Sequence, residues 1–164
     1  MELAREVTLL AATLMTGLVA GLLFTFAHAV MPGLGRRGDA GFVEGFQAIE
    51  GAIDNPWQGI GFAGAPVFTV LALVLQLRGG GGATALWVLA ALVLLGAVLV
   101  ITFRVHLPLN AAILAVGEPD RVPDLAAVRR GFESRWVRWN VVRAVLSIAA
   151  FACLAWSLLL LGGR

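Results

Sequence analysis

The chain has 164 residues, of which 60% are hydrophobic and only 13% charged. A soluble domain carries about 25% charged residues, so composition excludes an ordinary water-soluble fold and points to a membrane protein. The net charge of +2 comes from 12 arginines with no lysine, scattered near helix ends, which excludes a nucleic-acid-binding face.

Four stretches are long enough to cross a bilayer, which takes about 20 apolar residues. The first covers about residues 7–30. Its AHA at 27–29 resembles a signal-peptidase site, but the apolar run ahead of it is longer than the about 7–15 residues of a signal peptide. It is therefore expected to stay as a helix. It contains Gly17 and Gly21, a small-xxx-small spacing that brings helices close. Phe24 and His28 continue the Gly21 face, which predicts that His28 faces the bundle.

The first connection, 31–55, holds Phe42, Phe46, Ile49 and Ile53 at spacings of 4, 3 and 4, a helical stripe. It predicts a short interfacial or packed helix with Glu44 and Gln47 outward. Asn55-Pro56 opens the second span, about 56–77, with proline suited to a first helical turn. A GGGG turn at 79–82 leads to the third span, about 84–103. That span is expected to extend to about Val116, with a kink at Pro108. In the second connection, 104–140, Asp124 is a good N-cap. The spacing of Leu125, Val128, Phe132, Trp136 and Trp139 predicts a helix that runs on into the fourth span, about 141–161. The fold class is all-α: one integral membrane four-helix bundle, with helices three and four projecting beyond the bilayer on the long-loop side.

Both long connections lie on one side of the membrane, and both termini with the glycine turn on the other. The long-loop side carries Arg36, Arg37, Arg121, Arg129, Arg130, Arg135 and Arg138; the other carries Arg5, Arg78 and Arg164. The positive-inside rule then predicts cytoplasmic long loops and both termini outside, with a bacterial inner membrane as the expected location.

Polar residues converge on the long-loop end. His106 and Asn110 share a face of the third helix, four residues apart. Trp136, Asn140 and Arg143 share a face of the fourth, with Trp139 beside them. His28, Asn55 and Glu50 or Asp54 sit at the same level. Arg143 needs an acceptor there, and the expected ones are Glu50, Asp54 or the Arg104 carbonyl that Pro108 frees. Intramembrane ionisable residues mark a functional site by default; a polar cap that fixes helix register is the plainer alternative. The opposite end of the bundle is expected to hold almost no polar groups.

The segments AVMPGL at 29–34, QAIEGAIDNP at 47–56, HLPLNAAI at 106–113 and WVRWNVVR at 136–143 resemble the anthrone oxygenase family of small four-span membrane proteins. Members usually carry Asn where this chain has His106, and often Asn in place of Glu50. The resemblance implies an oxygenase that converts a hydrophobic polycyclic anthrone, or a related molecule, to a quinone with O₂, as some relatives do in polyketide biosynthesis.

The residues can support such chemistry without a cofactor. An anthrone is a carbon acid, and its anion is electron-rich enough to react with O₂. It needs a base, for which His106 or His28 is suited, and donors for the developing oxyanion. Arg143, Asn140 and Asn110 are the candidate donors. Phe24, Glu50, Asn55, Trp136 and Trp139 are the candidate pocket walls. Two alternatives stand beside this. His28 and His106 could ligate a b-type haem or a metal ion, or the chain could be a non-enzymatic membrane subunit. The expected partners are the lipid bilayer, the hydrophobic substrate and O₂, with a second copy of the chain kept open.

Overall fold

A computed structural model describes residues 1–80 and 82–163. Gly81 of the glycine turn and Arg164 lie outside the described residues. The described residues are mostly helical, with no strand among them. Four helices are long and apolar enough to cross a membrane: α1 (Glu2–Gly35), α3 (Pro56–Arg78), α4 (Gly82–Leu114) and α5 (Leu125–Gly162). The shorter α2 (Asp39–Ile53) fills the first long connection, and a 3₁₀ turn, Pro119–Arg121, lies in the second. At about 1.5 Å per residue the 33 residues of α4 and 38 of α5 exceed a hydrocarbon core of about 30 Å. Both helices therefore extend past it, as the sequence predicted.

α1 and α4 each run through a proline, Pro32 and Pro108, that would ordinarily end or bend the helix. A proline lacks an N–H and clashes with the carbonyl four residues back. Before Pro32 and before Pro108 the chain widens into one π turn, Phe26–Val30 in α1 and Thr102–His106 in α4. Met31 N–H then reaches Phe26 O, and Leu107 N–H reaches Thr102 O, each five residues back. A widened turn thus stands just ahead of Pro108, where the sequence predicts a kink. Such π turns gather at functional sites, and here the two lie at the same end of the bundle.

The membrane core is built from small and aliphatic side chains, including Leu9, Ala12, Ala72, Val88, Ala91, Ala150 and Leu154. Small residues let helices approach where lipid supplies no hydrophobic drive between them. A Cβ on Gly17 would come within 3.0 Å of the Phe151 ring, whereas Gly21 faces open space. Only the first glycine of the expected pair is a contact.

A second core, of aromatic residues, sits beyond it on the long-loop side. Phe42 and Phe46 from α2 pack edge-on against Phe132, and Phe46 also against Trp136. α2 is strapped down at its start and at its middle. Arg129 of α5 donates to the carbonyls of Gly35 and Arg37 at 2.8 Å each and to Glu133 and Asp39, while its guanidinium lies 4.7 Å over the Phe42 ring. Gln47, expected to point outward, instead donates to the carbonyls of Ile113 (2.9 Å) and Gly117 (3.0 Å). The Ile113 carbonyl ends α4 without a helical partner and the Gly117 carbonyl lies just beyond it; a side-chain amide satisfies both.

The opposite end is more polar than expected. Arg5 donates twice to Gln76 Oε1, at 2.6 and 3.1 Å, and Gln76, Thr84 and Ser157 are fully buried there. A hydroxyl or amide has no water to turn to inside a bilayer, so these groups face one another across the bundle rather than the lipid.

Candidate functional site

Asn140 and Arg143 occupy the inner face of α5, directly above its small-residue stripe of Ala144 and Ser147. Asn140 Nδ2 donates to Leu23 O at 3.0 Å, a carbonyl one turn ahead of the π segment of α1. Asn140 Oδ1 accepts from Arg143 Nη2 at 2.9 Å, and Arg143 Nη1 donates to Thr102 Oγ1 at 3.2 Å. Thr102 begins the other π turn. The two prolines thereby shape the backbone that holds Arg143. These partners correct the expectation of Glu50, Asp54 or the Arg104 carbonyl. The guanidinium reaches an amide and a hydroxyl, both neutral. It is only 6% exposed, its Nε has no partner, and no carboxylate pairs with it among the described residues.

His106 stands beside it at 1% exposure, its ring edge-on to Trp136 at 5.1 Å. Both of its ring nitrogens lack a hydrogen-bond partner. A buried unsatisfied polar group costs about 1–3 kcal/mol, and native proteins keep few of them. Two adjoining side chains with unmet hydrogen bonds face a cavity of about 410 Å³. Ligand pockets commonly have about 300–1,000 Å³. Phe26, Phe62, Phe103 and Trp136 supply aromatic wall, and Leu22, Leu23 and Leu99 aliphatic wall.

A relay of hydrogen bonds closes the long-loop end of the cavity. Trp136 Nε1 donates to Asn110 Oδ1 at 2.8 Å, and Asn110 Nδ2 donates to Glu50 Oε1 at 2.5 Å. Trp136 is fixed at one orientation by this relay and by Phe26 and Phe46. Glu50 lies on α2, outside the spans. Partial burial raises its carboxyl above the usual range, and the Asn110 bond and the Arg143 charge pull it only partly back. A raised folded value means that its contribution to stability is complete below the unfolded carboxylate range and is lost as pH rises through the folded value. Glu50→Gln keeps an acceptor for Asn110 without the charge. Its melting temperature in detergent is expected to gain on the wild type as pH rises from about 4 to 7; a difference that does not change with pH would contradict this.

Six of the ten expected site residues line this one cavity: His106, Asn110, Asn140, Arg143, Glu50 and Trp136. Four do not. His28 is on the outer face of α1, with Nδ1 2.7 Å from Phe24 O and its ring stacked on Phe24 at 4.3 Å. The buried stripe of α1 runs instead through Leu9, Thr16, Leu23 and Phe26, which turns Gly21, Phe24 and His28 away. His28 and His106 therefore do not present a pair of ligands to one space. Among the described residues no three of His, Cys, Asp and Glu come together as metal ligands. Asn55 caps α3, accepting from Trp57 N (3.0 Å) and Gln58 N (3.2 Å). Trp139 is half-buried on the flank of α5, outside the cavity.

Sequence reasoning missed Thr102, Phe26, Gln58 and Phe62. Thr102 had a signal: it precedes His106 by four residues, as His106 precedes Asn110. Gln58 and Phe62, also four apart, had the same periodicity on a span whose buried face no charge marked.

No curated protein and no solved structure is significantly similar to the chain. A family model described as anthrone oxygenase does match, over residues 57–153. That is more than half of the chain, and it includes Thr102, His106, Asn110, Trp136, Asn140 and Arg143; the chain belongs to the anthrone oxygenase family.

Proposed function

We propose that the cavity binds a planar, hydrophobic carbon acid of the anthrone type and activates it for reaction with O₂ without a cofactor. One observation carries this reading: a buried guanidinium with no paired carboxylate adjoins a buried imidazole with both nitrogens free, in a cavity walled mainly by aromatic and aliphatic side chains. A buried cation without a counter-charge is costly. A ligand oxygen that becomes anionic offsets that cost, and does so most in the transition state.

The substrate ketone oxygen would lie against Arg143, held in place by Asn140 and Thr102. His106 takes a proton from the CH₂ across the central ring, and the electron pair is delocalised through the ring system onto the oxygen as an enolate. That carbanion equivalent passes electrons to O₂ and forms a carbon–oxygen bond, giving a peroxide anion. His106 returns its proton to the peroxide. Loss of the second C–H proton and cleavage of the O–O bond then release water and leave a new carbonyl. The balance is RH₂ + O₂ → R=O + H₂O: the carbon is oxidised and O₂ is the only oxidant. Trp136 and the phenylalanines exclude water and stack on the ring system.

The excess of arginine on the long-loop side supports an orientation with this end of the bundle in the cytoplasm. The test of function is anthrone in reconstituted vesicles under ¹⁸O₂, in flavin-free buffer containing a chelator. The expected result is quinone formation above the protein-free rate, with one ¹⁸O in the new carbonyl and the other in water. A rate equal to that of protein-free vesicles would sink the proposal.

A further inference from the structure

The cavity has a side opening. Gly59 and Ala63 are one turn apart on α3, and Phe103 and Leu107 one turn apart on α4. All four line the cavity and are also exposed on the outside of the bundle. A residue that does both marks a mouth. A Cβ built on Gly59 would meet nothing within 4 Å, so the space before it is open. The outward residues beside this seam include Ile60 and Val100. They are apolar, and both flanking helices are membrane spans.

The long-loop approach is covered by a helix. On the long-loop side α2 lines the cavity with Glu50 and Ile53 and is anchored by Phe42 and Phe46, buried against Phe132 and Trp136. The Gln47 bonds to the end of α4 hold that helix down.

We infer that the ligand enters sideways from the bilayer, through the gap between α3 and α4, and that Gly59 and Ala63 set which molecules pass. The inference rests on reading the cavity as a substrate site. It selects substrates by two properties: partitioning into lipid, and flatness enough to slide between the small side chains of α3 and the Phe103 ring. Water-soluble conjugates of the same ring system are excluded by the route, whatever their fit to Arg143. Bulk at Gly59 meets open space, so Gly59→Leu is expected to fold as the wild type does and to narrow the mouth.

The experiment follows loading of 9,10-anthraquinone, which O₂ does not consume, from phosphatidylcholine vesicles holding the full chain. Saturable tryptophan quenching that is lost in Trp136→Phe reports cavity occupancy. Loading is expected to slow about tenfold or more in Gly59→Leu and in Ala63→Phe, because narrowing a route lowers the association rate. Melting temperatures should be unchanged. Gly51→Leu, which places the same bulk on the exposed part of α2, should load at the wild-type rate. Slow loading in Gly59→Leu without anthrone turnover in any form would keep the lateral mouth and remove the oxygenase reading. Equal loading in Gly59→Leu and wild type, slowed loading in Gly51→Leu alone, or no saturable quenching in the wild type would each overturn the mouth.

Discussion

His106→Phe is expected to lower anthrone turnover about 10²–10⁴-fold, the usual loss for a general base, while raising the melting temperature. The two effects have one cause. The ring is 1% exposed, and neither nitrogen has a partner. Phenylalanine keeps the ring and its edge contact with Trp136, and removes two polar atoms that burial penalises by about 1–3 kcal/mol per unsatisfied group. A histidine kept only for packing would give the opposite pattern, because a larger ring at a close-packed site brings strain. Turnover in vesicles, beside thermal unfolding in detergent, separates the two. A His106→Phe protein that oxidises anthrone at the wild-type rate would remove His106 as the base.

Arg143→Lys is expected to cost about 10²–10³-fold in turnover, on the order of 3–4 kcal/mol, as for loss of one oxyanion donor. Lysine keeps the positive charge but not the planar fork. In the native site that fork is spread between Asn140 at 2.9 Å and Thr102 at 3.2 Å, with Nε unclaimed. The three donors of an ammonium radiate from one nitrogen and do not span the positions that the planar fork holds. Stability should change little, because Thr102 keeps its bond to the Val98 carbonyl and Asn140 its bond to Leu23. Arg143→Leu should be equally inactive. It should not show the about 3–5 kcal/mol loss that follows breaking a buried ion pair, since no carboxylate is left behind. Full activity in a well-folded Arg143→Lys or Arg143→Leu protein would take Arg143 out of the mechanism. A large loss of stability with activity retained would make it a structural cation instead.

The Glu50 relay ties these two predictions to α2. Asn110 accepts from Trp136 and donates to Glu50, so the aromatic wall beside His106 is positioned from α2. Relatives that carry Asn at the Glu50 position would keep a hydrogen-bond partner there without a charge. The pH dependence expected for Glu50→Gln is the measurable trace of that difference.

The sequence by itself determined the parts of this protein that depend on the contrast between lipid and water. Run lengths of apolar residues located the four spans. The Phe42, Phe46 stripe located α2, and Asp124, which accepts from Ala127 N at 2.8 Å, located the start of α5. The polar residues of spans three and four fell at one level for the same reason. Tertiary structure decided which way each span faces. In a bilayer the core of the bundle and its lipid-facing side are both apolar, so hydrophobic periodicity does not mark the inner face as it does in water. That is why His28 was assigned inward and lies outward, while Thr102, Gln58 and Phe62 line the cavity. Gln76 and Arg5 were missed in the same way: each looked isolated in the sequence, and they meet 71 residues apart. The two π turns were equally hidden. Pro32 and Pro108 announced a disturbance, but whether a helix kinks or widens depends on what packs against it. Here the neighbours that decide it include Asn140 and Arg143, bonded to Leu23 and Thr102.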